Sequence, residues 1–456
     1  MLEYVYCIPI DEKGSCLLFA PLLNLAALIN FQAAELLRDA LCNGRSLKMN
    51  PSLSQLAGEL STDCLKPPIP TGPANPPFLG LILTRGCNMS CLYCDFASGD
   101  GGKTMEPELI NQAITGWVDW VRNKGGKLLE LHFFGGEPFT QPELIEIAIH
   151  RTRFLAEKHD LTMHVEASTN GLLSNDMLSF VKDYFDTIVL SLDGQEEDHD
   201  RHRPLSNGTG SFTKVLHTAE TLSDSNVNLR IRCCISQFNV EHLMDTTIWL
   251  CQTFFPESIT FETMKSTPKA LNAGLKPPEP LEFARGFINA LRIARNSGVN
   301  VIYAALYDQP RRTFCPVGRD TFIVGSDRSV RSCYLRKQDW ASSGLEMTIG
   351  NVTTRSKMNI DTKAVERLRT DVNNRPRCKH CFCRWGCAGG CIVTETYPGH
   401  SLKPTDFCRQ TRLIQACVLL EQLERADIAD QLLSDEDAIS RIWNTLDDRL
   451  IRLNNA

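Results

Sequence analysis

From residue 78 to about residue 304 the chain repeats one pattern: a short apolar run, then a longer stretch whose apolar positions recur every three and four residues. The short runs predict strands near 78–84, 129–134, 162–168, 186–191, 228–235 and 257–263. Between them, Glu106 to Asn123, Pro142 to Lys158, Asp176 to Tyr184, Phe212 to Ser223 and Glu241 to Phe254 have helical length and helical period. Strands alternating with helices build a parallel sheet covered by helices, so the region reads as six β/α units. Such folds collect ligands at the carboxyl ends of their strands. The residues just past each run are therefore where chemistry is expected.

Outside this region the pattern changes. Tyr4 to Ile10 and Ser15 to Ala20 predict a hairpin around Asp11-Glu12-Lys13-Gly14, and Asn30 is placed to cap a helix from Phe31 to Leu41 that stops before Gly44. The apolar run Leu17 to Ile29 is too short to span a membrane and is broken by Pro21 and Asn24. Six prolines fall among the eleven residues 67–77, the composition of a stiff linker. The expected division is a small α+β unit at 1–66, the linker at 67–77, the β/α region at 78–304, a cysteine-rich region at 305–410 and a helical segment at 411–456.

With 456 residues and 43% hydrophobic content the chain fills two or three domains. A net charge of −6 provides no global field for polyanions, which argues against nucleic acid while leaving room for a local basic patch. Nineteen cysteines, many in C-x2-C-like groups and without a secretory signal, point to metal binding in a reducing compartment, hence a cytoplasmic protein with no membrane partner. The chain has no P-loop, no Ser-His-Asp order and no H-E-x-x-H, and its ten histidines are scattered, so hydrolase chemistry has no support.

The strongest chemical signal follows the first strand of the β/α region. Cys87, Cys91 and Cys94 have the spacing C-x3-C-x2-C. Zinc sites usually close with four protein ligands, whereas three thiolates leave one iron of a [4Fe–4S] cube open to a substrate or cosubstrate. About forty residues on, a predicted strand runs into Gly135-Gly136-Glu137-Pro138. Two glycines let backbone approach a ligand closely, and the glutamate offers an acceptor for an ammonium group. These two elements, with Tyr93 before the last cysteine, resemble the radical SAM superfamily. The resemblance implies a partial (β/α)6 TIM barrel whose triad cluster chelates S-adenosylmethionine (SAM) through its open iron, with Gly135, Gly136, Glu137 and Pro138 at the SAM amino group. It further implies that the strand ends carrying Ser168, Asn170, Ser191 and Asp193, together with Arg203, line the SAM ribose and carboxylate. Asn170-Gly171 and Asp193-Gly194 are also routine turn chemistry.

A second constellation lies downstream: Cys315, Cys333, Cys378, Cys381, Cys387, Cys391 and Cys408, with Cys383 interposed. Its Trp385-Gly386-Cys387-Ala388-Gly389-Gly390-Cys391 core resembles the seven-cysteine SPASM domain, which carries two auxiliary iron–sulfur clusters. By that resemblance Cys378, Cys381, Cys387 and Cys408 hold one cube, and Cys315, Cys333 and Cys391 supply three ligands of the other. The fourth ligand is unassigned: an open iron for a substrate thiolate, Cys383, Cys417 or an oxygen ligand. Arg328 stands where the family usually has glycine, which puts the turn between Cys315 and Cys333 in question. Cys7, Cys16, Cys42 and Cys64 lack ligand spacing, and adjacent Cys233 and Cys234 point to opposite faces of a strand.

The implied function is reductive cleavage of SAM to a 5′-deoxyadenosyl radical and oxidative modification of side chains of a ribosomally made precursor peptide, as a carbon–carbon or thioether crosslink. Implied cofactors are three [4Fe–4S] clusters and SAM, and the implied partners are the precursor and an electron donor such as flavodoxin or ferredoxin. Residues 1–66 resemble precursor-recognition elements that add a leader peptide as an edge strand, or else merely cap the barrel. The alternatives are formylglycine formation of the anaerobic sulfatase-maturase kind and, in another class, a non-catalytic iron–sulfur carrier, against which Gly135-Gly136-Glu137 counts. His199, Asp200 and the strand-end acids are the candidates for a base.

Overall fold

The computed structural model describes residues 2–452 apart from 12–13, 49, 95, 98–101, 308, 396–403 and 446. Six parallel strands, β4 (Phe78–Ile82), β5 (Leu128–Phe134), β6 (Thr162–Thr169), β7 (Thr187–Ser191), β8 (Asn228–Ile235) and β9 (Ser258–Thr263), form the centre of the molecule. All six stand within two residues of the predicted runs. The smaller β1 (Tyr6–Pro9), β2 (Ser15–Ala20) and β3 (Leu25–Asn30) of the chain's start form a separate antiparallel sheet.

The central sheet does not end with the β/α units. A short β10 (Asn300–Ile302) joins β9 in parallel, and β11 (Thr321–Val324) joins β4 in parallel on the opposite edge. From there β12 (Ser329–Arg331), β13 (Thr348–Val352) and β14 (Met358–Ile360) continue antiparallel, giving one sheet of eleven strands. The cysteine-rich region is thus grown onto the edge of the β/α sheet and shares its hydrogen-bond ladder.

In β5, β6, β8 and β9 apolar and polar positions alternate. Leu129, Leu131 and Phe133 of β5, and Leu229, Ile231 and Cys233 of β8, pack beneath the helices at 4% exposure or less. The intervening positions are polar: Glu130 and His132, Glu166 and Ser168, Arg230 and Arg232, Thr260 and Glu262. Parallel sheets covered on both faces usually read as continuous apolar runs. Here the second face lines a polar interior, in which Arg230 pairs with Glu166 at 3.2 Å and Arg232 approaches Glu262 at 3.8 Å.

The start of the chain differs from expectation. Leu25–Asn30, inside the apolar run read only as a broken span, is a third strand, turned back by Pro21–Leu23 and by Asn24 at φ +50°. The helix that follows runs Phe31–Asn43, with Asn30 Oδ1 accepting from Ala33 N–H at 2.8 Å and Gly44 closing it at φ +70°. Glu12 and Lys13 of the predicted turn lie outside the described residues.

The small sheet is also not merely tethered. Val5, Cys7, Cys16 and Leu18 pack against its own helices, but Tyr6, Ile8, Ile10 and Leu17 belong to the main core. Cys7 N–H donates to Asp448 O, and Leu450 N–H to Val5 O, both at 2.8 Å, so the two ends of the chain are joined. The proline-rich segment is strapped down as well: the carbonyls of Gly72 and Ala74 accept from Arg369 at 2.6 Å and from Trp120 at 2.9 Å, and that of Pro67 accepts from Arg312.

Candidate active site

The loop from Thr84 to Cys94 leaves the end of β4 with Cys91 buried and Cys87 and Cys94 half-buried. Their thiols are mutually close: burial raises the pKa of Cys91 to about 11, and Cys94 and Cys87 add to the rise. Asn170 Nδ2–H points at Cys87 Sγ at 3.7 Å and Arg203 Nη1–H at Cys91 Sγ at 3.9 Å. Donors aimed at sulfur favour the thiolate that a cluster requires.

Gly135 and Gly136 hold this loop. Gly136 N–H donates to Thr84 O at 3.0 Å and Glu137 N–H to Gly86 O at 2.9 Å. A Cβ on Gly136 would stand 1.9 Å from Gly86 O, and one on Gly135 2.4 Å from Thr84 O. The close approach foreseen for these glycines is therefore made to the cysteine loop itself. Glu137 is 1% exposed, and its carboxylate accepts from Asn170 N–H at 2.7 Å, Thr169 Oγ1–H at 2.9 Å and Phe139 N–H at 3.1 Å. It ties the ends of β5 and β6 together, and burial lifts its pKa to about 7. A carboxylate offers about four acceptor sites, so one remains for a ligand donor. Pro138 begins the turn Pro138–Thr140.

Asp193, fully buried past β7, gathers the residues around the loop. Its carboxylate accepts from Tyr93 Oη–H at 2.7 Å, Arg203 Nε–H at 2.9 Å and Cys234 N–H at 2.9 Å. Burial opposes its charge, but Arg203 and His202 outweigh burial and hold its pKa well below the carboxylate range. Arg203 lies over the Tyr93 ring at 5.3 Å. Asp193 and Arg203 are thus spent on each other and on the triad loop. Ser191 sits half-buried at the end of β7, paired in register with Arg232. His199 and Asp200 have scaffold positions: His199 is 0% exposed, with its ring nitrogens near Asp193 N–H at 3.3 Å and Ser211 Oγ at 3.1 Å, and Asp200 accepts from Ser211 N–H and Phe212 N–H at 2.7 and 2.8 Å. Neither faces the polar interior.

What does face that interior was not foreseen. His132 Nδ1 shares a hydrogen bond of 2.5 Å with Tyr334 Oη, and Nε2 lies 3.3 Å from Ser168 Oγ and 3.4 Å from Glu166. Tyr334 enters over Gly80, where a Cβ would meet its hydroxyl at 2.1 Å. Burial and the charge of Arg232 depress the His132 pKa to about 3, so it is a neutral ring. The polar letters alternating within Leu129-Glu130-Leu131-His132 and Leu229-Arg230-Ile231-Arg232 carried this signal.

Seven of the remaining cysteines fall into two groups. Beside burial, Cys391 raises the pKa of Cys315 and of Cys333, while Cys381 and Cys408 raise those of Cys378 and Cys387. Cys383, 3% exposed, hydrogen-bonds Cys381 and lies beside Cys387, so it stands with the four-thiol group and away from the three-thiol one. Cys417 is buried near Arg292 and Glu421. Arg328 takes φ +66°, the left-handed conformation a glycine would supply, and its side chain anchors to Val352 O at 3.1 Å and to Gln112.

All nineteen cysteines are free thiols. Among the described residues no three His, Cys, Asp or Glu side chains converge to hold a single metal ion. Thiols grouped by three and four suit an iron–sulfur cube in donor chemistry. Small residues fit too: Gly389 at φ +83° and Gly390 at φ +74° carry the Cys387–Cys391 turn.

Residues 81–250 match the radical SAM superfamily, and the chain carries a radical SAM domain: it is an enzyme of the class that uses SAM and a [4Fe–4S] cluster. It is similar to the cysteine-type anaerobic sulfatase-maturating enzyme of Clostridium perfringens (strain 13 / Type A), 24% identical over 342 residues that cover 69% of this chain and 89% of that protein. It also resembles the AdoMet-dependent heme synthase of Methanosarcina barkeri, 29% identical over 174 residues, 38% of this chain and 46% of that one. Among solved structures, native anSMEcpe with bound AdoMet superposes with TM-score 0.59 at 19% identity, covering 78% of this chain and all of that one. Streptococcus suis SuiB superposes with TM-score 0.53 at 13% identity, covering 88% and 99%. These structural likenesses show a shared fold. No helix among the described residues is long and apolar enough to cross a membrane.

Proposed function

We propose that this chain is a radical SAM maturase that oxidises side chains of a peptide substrate, with three [4Fe–4S] clusters. The observation that carries the proposal is the Cys87-Cys91-Cys94 loop clamped by Gly135, Gly136 and Glu137, with Asn170 and Arg203 donating toward its sulfurs. Cys87, Cys91 and Cys94 hold the cluster that binds SAM. Cys378, Cys381, Cys387 and Cys408 hold one auxiliary cluster, and Cys315, Cys333 and Cys391 the other, with one iron open. When bound, cluster and SAM supply a 5′-deoxyadenosyl radical that takes hydrogen from an unactivated C–H bond. Glu137 keeps one acceptor site for the SAM amino group. The polar interior around His132, Glu166 and Tyr334 receives the substrate side chain and excludes bulk water.

The favoured outcome is a carbon–carbon or thioether crosslink in a precursor peptide. The similarity to proteins named radical SAM cyclopropyl synthase TigE and SuiB, the latter also solved with its precursor peptide SuiA, supports a peptide substrate. So does β3, which among the described residues pairs with β2 alone and offers its other edge to an extended segment. Formylglycine formation is the second reading, favoured by the 342-residue match to the sulfatase-maturating enzyme. A short neighbouring reading frame with a repeated or cysteine-bearing core would decide for crosslinking.

Anaerobic reconstitution is expected to load about twelve irons per chain, three cubes of four. Replacing Cys87, Cys91 and Cys94 together by alanine should leave about eight and abolish dithionite-driven 5′-deoxyadenosine formation. About four irons in folded wild-type protein, or 5′-deoxyadenosine from the triple variant, refutes the proposal.

A further inference from the structure

Four arginines surround Cys378. Arg311, Arg312, Arg375 and Arg384 line, with Trp385 and Cys378 itself, one cavity of about 20 Å³. None of the four pairs with a carboxylate among the described residues. Arg311 donates to the carbonyls of Gly386, Phe314 and Ala304, Arg312 to Pro67 O, Arg375 to Gly390 O and Arg384 to Lys379 O. Carbonyls anchor a guanidinium without neutralising it, and a half-buried cation without a counter-ion is costly.

The four divide by what lies near them. Arg311 and Arg375 face thiols, those of Cys387 and Cys315 and of Cys378, Cys391 and Cys387, so clusters held there answer their charge. Arg312 and Arg384 lie instead against the Trp385 ring, at 5.5 and 5.1 Å, and have no such partner. Tyr4 packs on the same ring at 5.5 Å, Lys66 lies over the Tyr4 ring at 4.6 Å, and Lys379 is exposed beside the cavity. A chain of net charge −6 therefore presents a concentrated positive patch at the surface nearest one thiol group. The cavity has room for about one water-sized group, so it suits the tip of a carboxylate side chain and excludes a nucleotide or sugar.

We infer that Arg312 and Arg384, around the Cys378 cavity, are the docking face for an acidic electron-carrier protein that exchanges electrons with the four-thiol site. The inference rests on the cluster assignment proposed above. Substrate oxidation releases one electron and one proton after hydrogen abstraction. The electron has to leave the chain. In the docked complex the carrier's iron–sulfur centre gains one electron while the four-thiol site loses one, and no atom or proton crosses the interface.

The test uses the reconstituted holoenzyme and an oxidised, acidic [2Fe–2S] ferredoxin as the probe. The Arg312→Glu/Arg384→Glu double variant is expected to weaken ferredoxin binding about tenfold or more and to flatten its salt dependence. The control Arg153→Glu/Lys182→Glu, reversing two exposed charges in the cleft at the amino ends of β6 to β8, should bind as wild type does. Dithionite reduces clusters without docking, so dithionite-driven 5′-deoxyadenosine formation and iron content should be unchanged in both variants. Equal ferredoxin affinity in the two double variants overturns the inference, as does heparin or duplex DNA binding the patch more tightly than ferredoxin. Wild-type protein without dithionite-driven SAM cleavage instead overturns the functional proposal on which the inference stands.

Discussion

Gly136→Ala should damage one cluster site and spare the others. The added Cβ would lie 1.9 Å from Gly86 O, 2.6 Å from Gly86 C and 2.7 Å from Arg85 C, all backbone atoms that no rotamer change can move. Non-bonded contacts settle near 3.5 Å, so the end of β5 must retreat from the cysteine loop by roughly 1.5 Å. That breaks Gly136 N–H to Thr84 O at 3.0 Å and Glu137 N–H to Gly86 O at 2.9 Å. Each lost bond strands a buried group at about 1–3 kcal/mol, for a total of about 2–6 kcal/mol. Because the shift separates Cys87 from Asn170 but leaves β11 to β14 in place, iron in the reconstituted variant should fall by about four per chain and no further. Thermal unfolding of the cluster-free protein, followed beside iron analysis, reads both effects. Gly58→Ala is the control: nothing lies within 4 Å of its Cβ, and in the exposed helix Pro51–Leu60 alanine should stabilise by about 0.5–1 kcal/mol. A Gly136→Ala protein with wild-type iron and an unchanged unfolding temperature would refute the reasoning.

Arg412 donates to both carboxylate oxygens of Asp448 at 3.1 and 3.0 Å in a buried pair, so Arg412→Ala should cost about 3–5 kcal/mol by leaving that carboxylate alone. Arg412→Met/Asp448→Leu, which removes both charges, should lose less in the same unfolding experiment. The depressed pKa of Asp193 contributes stability that is full above the unfolded value of about 3.9 and is lost as pH falls toward the folded pKa. Acid titration of the unfolding temperature should therefore be shallower in Asp193→Asn than in wild type below about pH 4. At Arg328, with φ +66°, glycine relieves strain worth about 1 kcal/mol while alanine only removes the bonds to Val352 and Gln112, so Arg328→Gly should be the more stable of the two variants. Greater stability of the alanine variant would exclude strain at this turn.

The features legible in the sequence are those that a few neighbouring residues settle. Six strands and their helices were readable because apolar spacing within one element records which face it buries, and Asn30 and Gly44 mark a helix whose ends are satisfied locally. The arginine in the turn before Cys333 was visible as a departure, and its left-handed backbone shows that the turn keeps the shape a glycine would supply. The third strand of the small sheet was missed because Pro21 and Asn24 were read as breaks in a long run, although together they form the reversal between two strands.

By itself the sequence determined the parallel β/α core and the Cys87-Cys91-Cys94 triad, since chelate spacing is a local property of the chain, whereas the division of the later cysteines into four and three followed from the resemblance. Tertiary structure decided what those groups face. The two glycines before Glu137 serve the cysteine loop because β4 and β5 are neighbours, and Tyr334 reaches His132 across 202 positions because β11 pairs with β4 and carries the cysteine-rich region over the open end of the sheet. Joining of residues 5–7 to 448–450, the polar interior and the arginine patch at Cys378 arise in the same way. Each depends on which strands share a ladder and which ends come together, and the contacts that set this are made between residues too distant in sequence for periodicity to register.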